Sequence, residues 1–347
     1  MGVTIAVMGD TLCRSKDGSD PFAHARDVWA EADVCFLNLE TVITQHGTPA
    51  PKRTLLRTEP DEAKWLEGFD VVHTANNHIF DYGEEGYYDT EGALHLRDIH
   101  SLGVGTDITA WMGATVEHKK FKIDFLGFHS YPLQSGIYEV AHLENHKRVL
   151  DQVRRRASLS DALIVSLHWG TEHAPHPSPA QIEIAHDIVD AGACLVLGHG
   201  PHRLQAIERY KDGLIAYSLG NFNFWHTDIE EQWFNCLSAI LLVEMGEAGV
   251  LNWRIKPYFI NANGQPIPYG NRDEMMTLYL AELQAELSIT WSRWYEEIGA
   301  TYVRQSLKSF AATIPRYGWV RVKKLWWWLR QAHTWQAVAG MLRGWTK

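Results

Sequence analysis

Cysteine is scarce in this chain: the four present, Cys13, Cys35, Cys194 and Cys236, show no CysXXCys spacing. That argues against a cysteine-rich metal site or a disulfide framework and fits free thiols in a reducing compartment. Long hydrophobic runs are also missing, so no stretch is expected to span a bilayer. Met1 to Gly9 runs directly into a short apolar strand, with no basic leader, long apolar region or small-residue cleavage site, so a signal peptide is not expected. The expected location is the cytoplasm or the inner membrane surface. No solenoid-type repeat is present.

Acidic residues are absent from one long region. Thr301 to Lys347 holds nine Lys or Arg and no Asp or Glu, so the net charge of −10 leaves −19 on residues 1–300. An acidic body argues against nucleic acid as a partner, because a phosphate backbone needs a basic face. Within the basic tail, Val322, Trp326 and Leu329 recur at helical spacing if residues 316–330 form a helix. Such a segment suits docking on an anionic membrane surface, or packing against the body or a second subunit.

What the chain does have is enough apolar residues, 46% of 347, for a substantial core. Pro, Gly and Asn gather between Asn261 and Asn271, which places the expected boundary near residue 270: a catalytic body over 1–270 and a helical extension with a basic, Trp-rich tail over 271–347. Five short apolar runs read as buried strands: Val3 to Met8, Val34 to Leu37, Val71 to Thr74, Leu163 to Leu167 and Cys194 to Leu197. Helical stretches between several of them predict an α/β fold, most simply a mainly parallel sheet covered by helices. Each run ends in a polar cluster, and strand carboxyl ends are where open α/β sheets bind ligands.

Those clusters carry the chemistry. Asp10 and Glu40 offer hard oxygen donors from adjacent strand ends, although each also fits a turn or cap. Residues 76–78, AsnAsnHis, follow a third strand: Asn77 can coordinate through its amide oxygen, and Asp81 can orient His78. The alternative is an Asn-rich turn held by its own side chains. His168, His199 and His202 at two further strand ends match imidazole sites for zinc, manganese or iron. His173 and His176 lie in a Pro-rich loop and read as flexible or substrate-facing. Glu172 is either a supporting acceptor or an exposed carboxylate.

The ordered set of GlyAsp at 9–10, AsnLeuGluThr at 38–41, AsnAsnHisIlePheAspTyrGly at 76–83, HisTrpGlyThrGlu at 168–172, GlyHisGlyProHis at 198–202 and TyrSerLeuGlyAsnPheAsnPhe at 217–224 resembles the CapA capsule-synthesis family, as does ArgThrGluPro at 57–60. The resemblance covers about residues 1–260. It implies a calcineurin-like metallophosphoesterase fold, a sandwich of two mixed β-sheets flanked by helices, and a role with bacterial poly-gamma-glutamate capsules. It further implies Asp10, Glu40, Asn77, His168, His199 and His202 as ligands of one or two divalent ions (Mn, Zn or Fe), and His78 with Asp81 as the proton-transfer pair. Asn221 is expected to orient the substrate or site and Arg57 to hold an anion. Leu12 stands where the superfamily's opening AspXHis has its histidine, Glu40 where a bridging Asp is expected, and GlyPro separates His199 from His202. The implied reaction is hydrolysis by metal-bound hydroxide on a phosphoester or a glutamyl amide in an anionic polymer; a noncatalytic polymer-binding or assembly factor is the alternative.

Overall fold

The computed structural model describes residues 2–52, 54–225, 235–247, 249–270, 273–288, 290, 293–294 and 297–298. The basic Trp-rich tail lies outside the described residues.

Two sheets build the body. The first runs Pro266–Pro268, Gly249–Ile260, Leu237–Gly246, Val3–Thr11, Val34–Leu39, Val71–His73, His100–Leu102, with Asn221–Asn223 pairing alongside the end of Val3–Thr11. The second runs Ile207–Tyr210, Gly213–Ala216, Leu195–His199, Ala162–His168, Phe121–His129, Ala114–His118. Both are mixed. Parallel pairing joins Val3–Thr11 to Val34–Leu39 and on to Val71–His73, whereas Leu237–Gly246 and Gly249–Ile260 form an antiparallel hairpin. The polar–apolar pattern alone predicts one mainly parallel sheet; period-two alternation explains why there are two. Ile5, Val7 and Phe36 face the second sheet, while Ala6, Met8 and Leu37 belong to a separate apolar cluster on the other face.

Phe36 stacks on Phe125 with ring centroids 6.0 Å apart, joining the two sheets across the shared core. Phe22, Trp29, Leu66 and Leu94 cover the outer face of the first sheet. Helices His146–Ala157 and Pro179–Asp190 cover the second through Val149, Val153, Ala185 and Ile188. The latter helix starts within the Pro-rich loop region: Ser178 and Gln181 form a capping box, and Pro179 occupies the first turn, where its missing N–H costs nothing. Helix Asp273–Ala285 packs back on the body, burying Leu280 and Leu283 against the main core and Met276 against Leu204 and Leu237.

Strand register then sets the functional residues in rows. His168 is level with both His199 and His129 in the second sheet. In the first, Asp10 is level with Asn38 and Asn221. The five expected strands all form, extended by one to three residues or shortened by one, and the ends of the parallel strands from both sheets meet at one edge of the sandwich.

Candidate metal centre

Glu40 is the hub. It follows strand Val34–Leu39 directly, is wholly buried, and neither carboxylate oxygen accepts a hydrogen bond from the described residues. Its Oε1 lies 3.7 Å from His168 Nε2, 3.7 Å from His202 Nε2 and 3.9 Å from His78 Nε2. Those separations are too long for hydrogen bonds, yet close to the spacing of about 3.3–3.6 Å that donors adopt around one cation at about 2.0–2.2 Å in tetrahedral geometry. One donor atom each from Asp10, Glu40 and His168 lies within 4.8 Å of the others. A buried carboxylate with no donor, facing three imidazole nitrogens, is a donor set that fits a divalent ion.

Neighbouring groups hold the donors in place. Asn38 donates from Nδ2 to Asp10 Oδ1 at 2.7 Å and lies 3.3 Å from His168 Nδ1. Gly200 N–H donates to Asp10 Oδ2 at 3.2 Å, and His202 Nδ1 lies 2.8 Å from Asn221 Oδ1. That last contact directs the other ring nitrogen, Nε2, toward Glu40. Gly200 has φ +105°, and a Cβ there would stand 2.7 Å from the Trp169 carbonyl oxygen, so only glycine lets this turn close over His168. His202 itself takes a left-handed φ of +57°, backbone strain of a kind that gathers at functional sites.

Electrostatics report the same crowding of acceptors. Burial acts to lower the His202 pKa, but Glu40 and Asp10 outweigh it and push it up to about 10. Burial raises Glu40 well above the usual carboxylate range, with His202 opposing. Burial would also raise Asp10, yet the neighbouring His199 and His202 imidazoles hold it well below its ordinary value. His168 is driven well down by burial. The nearby Glu40 and Asp10 thus favour the protonated form of His202.

The remaining expected residues divide. His199 Nδ1 is 3.6 Å from Asp10 Oδ1, and neither ring nitrogen makes a hydrogen bond among the described residues. Asn77 Oδ1 is likewise buried without a partner. His78 Nδ1 lies 2.8 Å from Asp81 Oδ2, while Nε2 faces Glu40 at nearly the distance of the other two imidazoles, which makes His78 a neighbour of the Glu40 cluster. The Arg57 guanidinium pairs with Glu59 at 3.3 Å and lies over the Tyr82 ring. His173 is held rather than loose, its ring 6.2 Å from that of His202 and its Nδ1 accepting from Asn235 at 3.0 Å. Glu172 is an exposed carboxylate whose charge is felt by Glu40 and His202.

Sequence reasoning missed Lys52. Its ammonium group pairs with Asp81, donates to the Asn77 carbonyl at 2.7 Å and lies 3.2 Å from His78 Nδ1. No local signal marks it, because it sits in a Pro-containing loop away from any strand end.

The paired mixed sheets and the site at their edge define a metallophosphatase-fold protein. Solved structures share that architecture: a phosphatase from Mycoplasma pneumoniae (TM-score 0.52, 14% identity, 75% of this chain and 94% of that one) and a hypothetical protein from Thermus thermophilus (TM-score 0.51, 14% identity, 74% and 99%). The family described as bacterial capsule synthesis protein PGA_cap matches residues 4–225, and the chain belongs to it. Relatives include PGA biosynthesis protein CapA of Bacillus subtilis, 26% identical over 81% of this chain and 76% of that one. Capsule biosynthesis protein CapA of Bacillus anthracis is 35% identical over 45% of this chain, and a probable polyglutamine synthesis accessory protein of Mycobacterium tuberculosis is 32% identical over 54%. The matches span only 40% and 55% of the length of these last two relatives.

Proposed function

We propose that this chain serves the synthesis of a capsule or envelope polymer of the poly-glutamate type as a divalent-metal-dependent hydrolase, cleaving a phosphoester or a glutamyl amide. The observation that carries this reading is Glu40 Oε1, buried without a hydrogen-bond donor among the described residues and 3.7–3.9 Å from three imidazole nitrogens.

Asp10, Glu40, His168 and His202 would hold the ion, with His199 and Asn77 completing the shell. When bound, such an ion supplies Lewis acidity and lowers the pKa of its water from about 16 to about 7. The protein's own residues supply orientation and proton handling. Asn38 and Asn221 fix Asp10 and His202, so the donors need no rearrangement when charge develops. His78 Nδ1 lies 2.8 Å from Asp81 Oδ2; with the ring proton held there, a proton exchanged with substrate would pass through Nε2. Burial pushes the His78 pKa down, which makes the imidazolium a willing donor to a leaving oxygen. Leu12, in the place of the superfamily histidine, is buried with Leu56 and Phe224 and offers no donor, which favours one ion over two.

The same substitution favours a second reading, a polymer-binding or assembly factor that keeps the pocket without turnover. Metal-dependent turnover on phosphomonoester, phosphodiester and glutamyl-amide panels separates the two. Turnover abolished by Glu40→Gln supports the hydrolase; no turnover at full metal occupancy, with capsule function preserved in Glu40→Gln and His78→Ala cells, supports the assembly factor.

A further inference from the structure

The loop between the short paired strands Val42–Ile43 and Arg57–Thr58 is tied at three points to the turn that carries His78. Ala50 N–H donates to the Asp81 carbonyl at 2.7 Å, Leu56 N–H donates to Asp81 Oδ2 at 2.6 Å, and Lys52 pairs with the Asp81 carboxylate while donating to the Asn77 carbonyl. Asp81 is fully buried, and Lys52 is about a quarter exposed at its side chain. A buried carboxylate without a counter-charge is strongly destabilising, so this ammonium group is a structural requirement of the turn as well as a neighbour of the ring.

His78 Nδ1 faces two groups with opposite demands. Asp81 Oδ2, at 2.8 Å, only accepts a proton; Lys52 Nζ, at 3.2 Å, only donates one. The shorter contact and the negative partner go together if the ring carries its proton on Nδ1. Lys52 then directs its own protons to Asp81 and to the Asn77 carbonyl. That leaves Nε2 of the neutral ring with its lone pair toward Glu40 and the ion site.

We propose that Lys52 is a positioning residue: by neutralising Asp81 and clamping the 44–56 loop to the Asn77–Asp81 turn, it fixes the tautomer and orientation of His78 so that Nε2 serves the centre. The significance for catalysis rests on the hydrolase reading above, but the placement does not, and it is tested without turnover. Histidine-selective 15N labelling of the metal-free full chain, with His78 assigned by loss of its signals in His78→Gln, reports which ring nitrogen bears the proton. The expected spectrum has His78 protonated at Nδ1 and bare at Nε2 in the native protein. In Lys52→Met the His78 signals shift or broaden through tautomer exchange, and in Lys52→Arg they return close to the native positions.

Native protein with a bare Nδ1 overturns the assignment outright, whether or not any variant folds. So does a folded Lys52→Met protein with unchanged His78 signals. If the protein turns over substrate, Lys52→Met lowers kcat about a hundredfold with KM little changed, the signature of a misplaced group and not of lost substrate binding. Absence of turnover in the native protein with the expected spectra counts against the hydrolase reading alone.

Discussion

At the scale of single residues, the site is built from groups whose ordinary needs the protein does not meet. Among the described residues, Glu40 has acceptor oxygens and no donor, His199 has two ring nitrogens and no hydrogen-bond partner, and Asn77 buries an amide oxygen alone. Glu40→Gln keeps the shape and removes the charge; divalent-ion affinity, measured by calorimetric titration of Mn2+, is expected to fall by at least about 100-fold. Asn221→Ala removes the acceptor that holds His202 Nδ1 and is expected to weaken the ion by about 10–100-fold, with the fold intact by circular dichroism. Unchanged affinity in both variants would place the ion elsewhere. The residues that gather at this edge are legible in the sequence as a group because each lies at or just beyond the end of an apolar strand, a signal confined to a few neighbouring residues. Lys52 is not, since its partners Asp81 and His78 are 26 to 29 positions away and only the folded loop brings it to them. Arg57, expected to hold an anion, has its guanidinium beside Glu59 at 3.3 Å.

Secondary-structure elements translate those residues into a common edge. Alternation along Val3–Thr11 puts Ile5 and Val7 into the core between the sheets, and the strand then delivers Asp10 to the rim. Phe125, stacked on Phe36 across that core, should tolerate truncation poorly: Phe125→Ala is expected to cost about 3–5 kcal/mol in urea unfolding. Helix Gly83–His95 offers a pH-dependent test away from the centre. Burial raises the Glu91 carboxyl above its ordinary value of 4.5, partly opposed by a 2.7 Å hydrogen bond from Ser101, and Glu91 Oε1 has no partner. The folded chain therefore holds this proton to higher pH than the unfolded chain. The associated stability is complete below 4.5 and is lost as pH rises through the folded value. Glu91→Gln cannot ionise, so it should gain stability relative to the native protein as pH rises from about 4 to about 8; an unfolding difference independent of pH would contradict this. The number of sheets is less legible than the strands themselves. A period-two pattern names the two faces of a strand but not which distant strand covers each, and that pairing depends on contacts between residues such as Phe36 and Phe125.

For the whole molecule, the centre is a link between the two sheets: Asp10 and Glu40 come from the first, His168 and His199 from the second. An ion held by both should stabilise the folded state as a unit. At a thousand times its Kd it adds about 4 kcal/mol, so chelation should lower Tm, and Glu40→Gln should make Tm insensitive to chelator. The most direct test of the account is an anomalous-scattering map from crystals of protein purified without chelator. The expected result is a single strong peak enclosed by Asp10, Glu40, His168 and His202; a map with no peak there, from protein shown to carry bound metal, would contradict it.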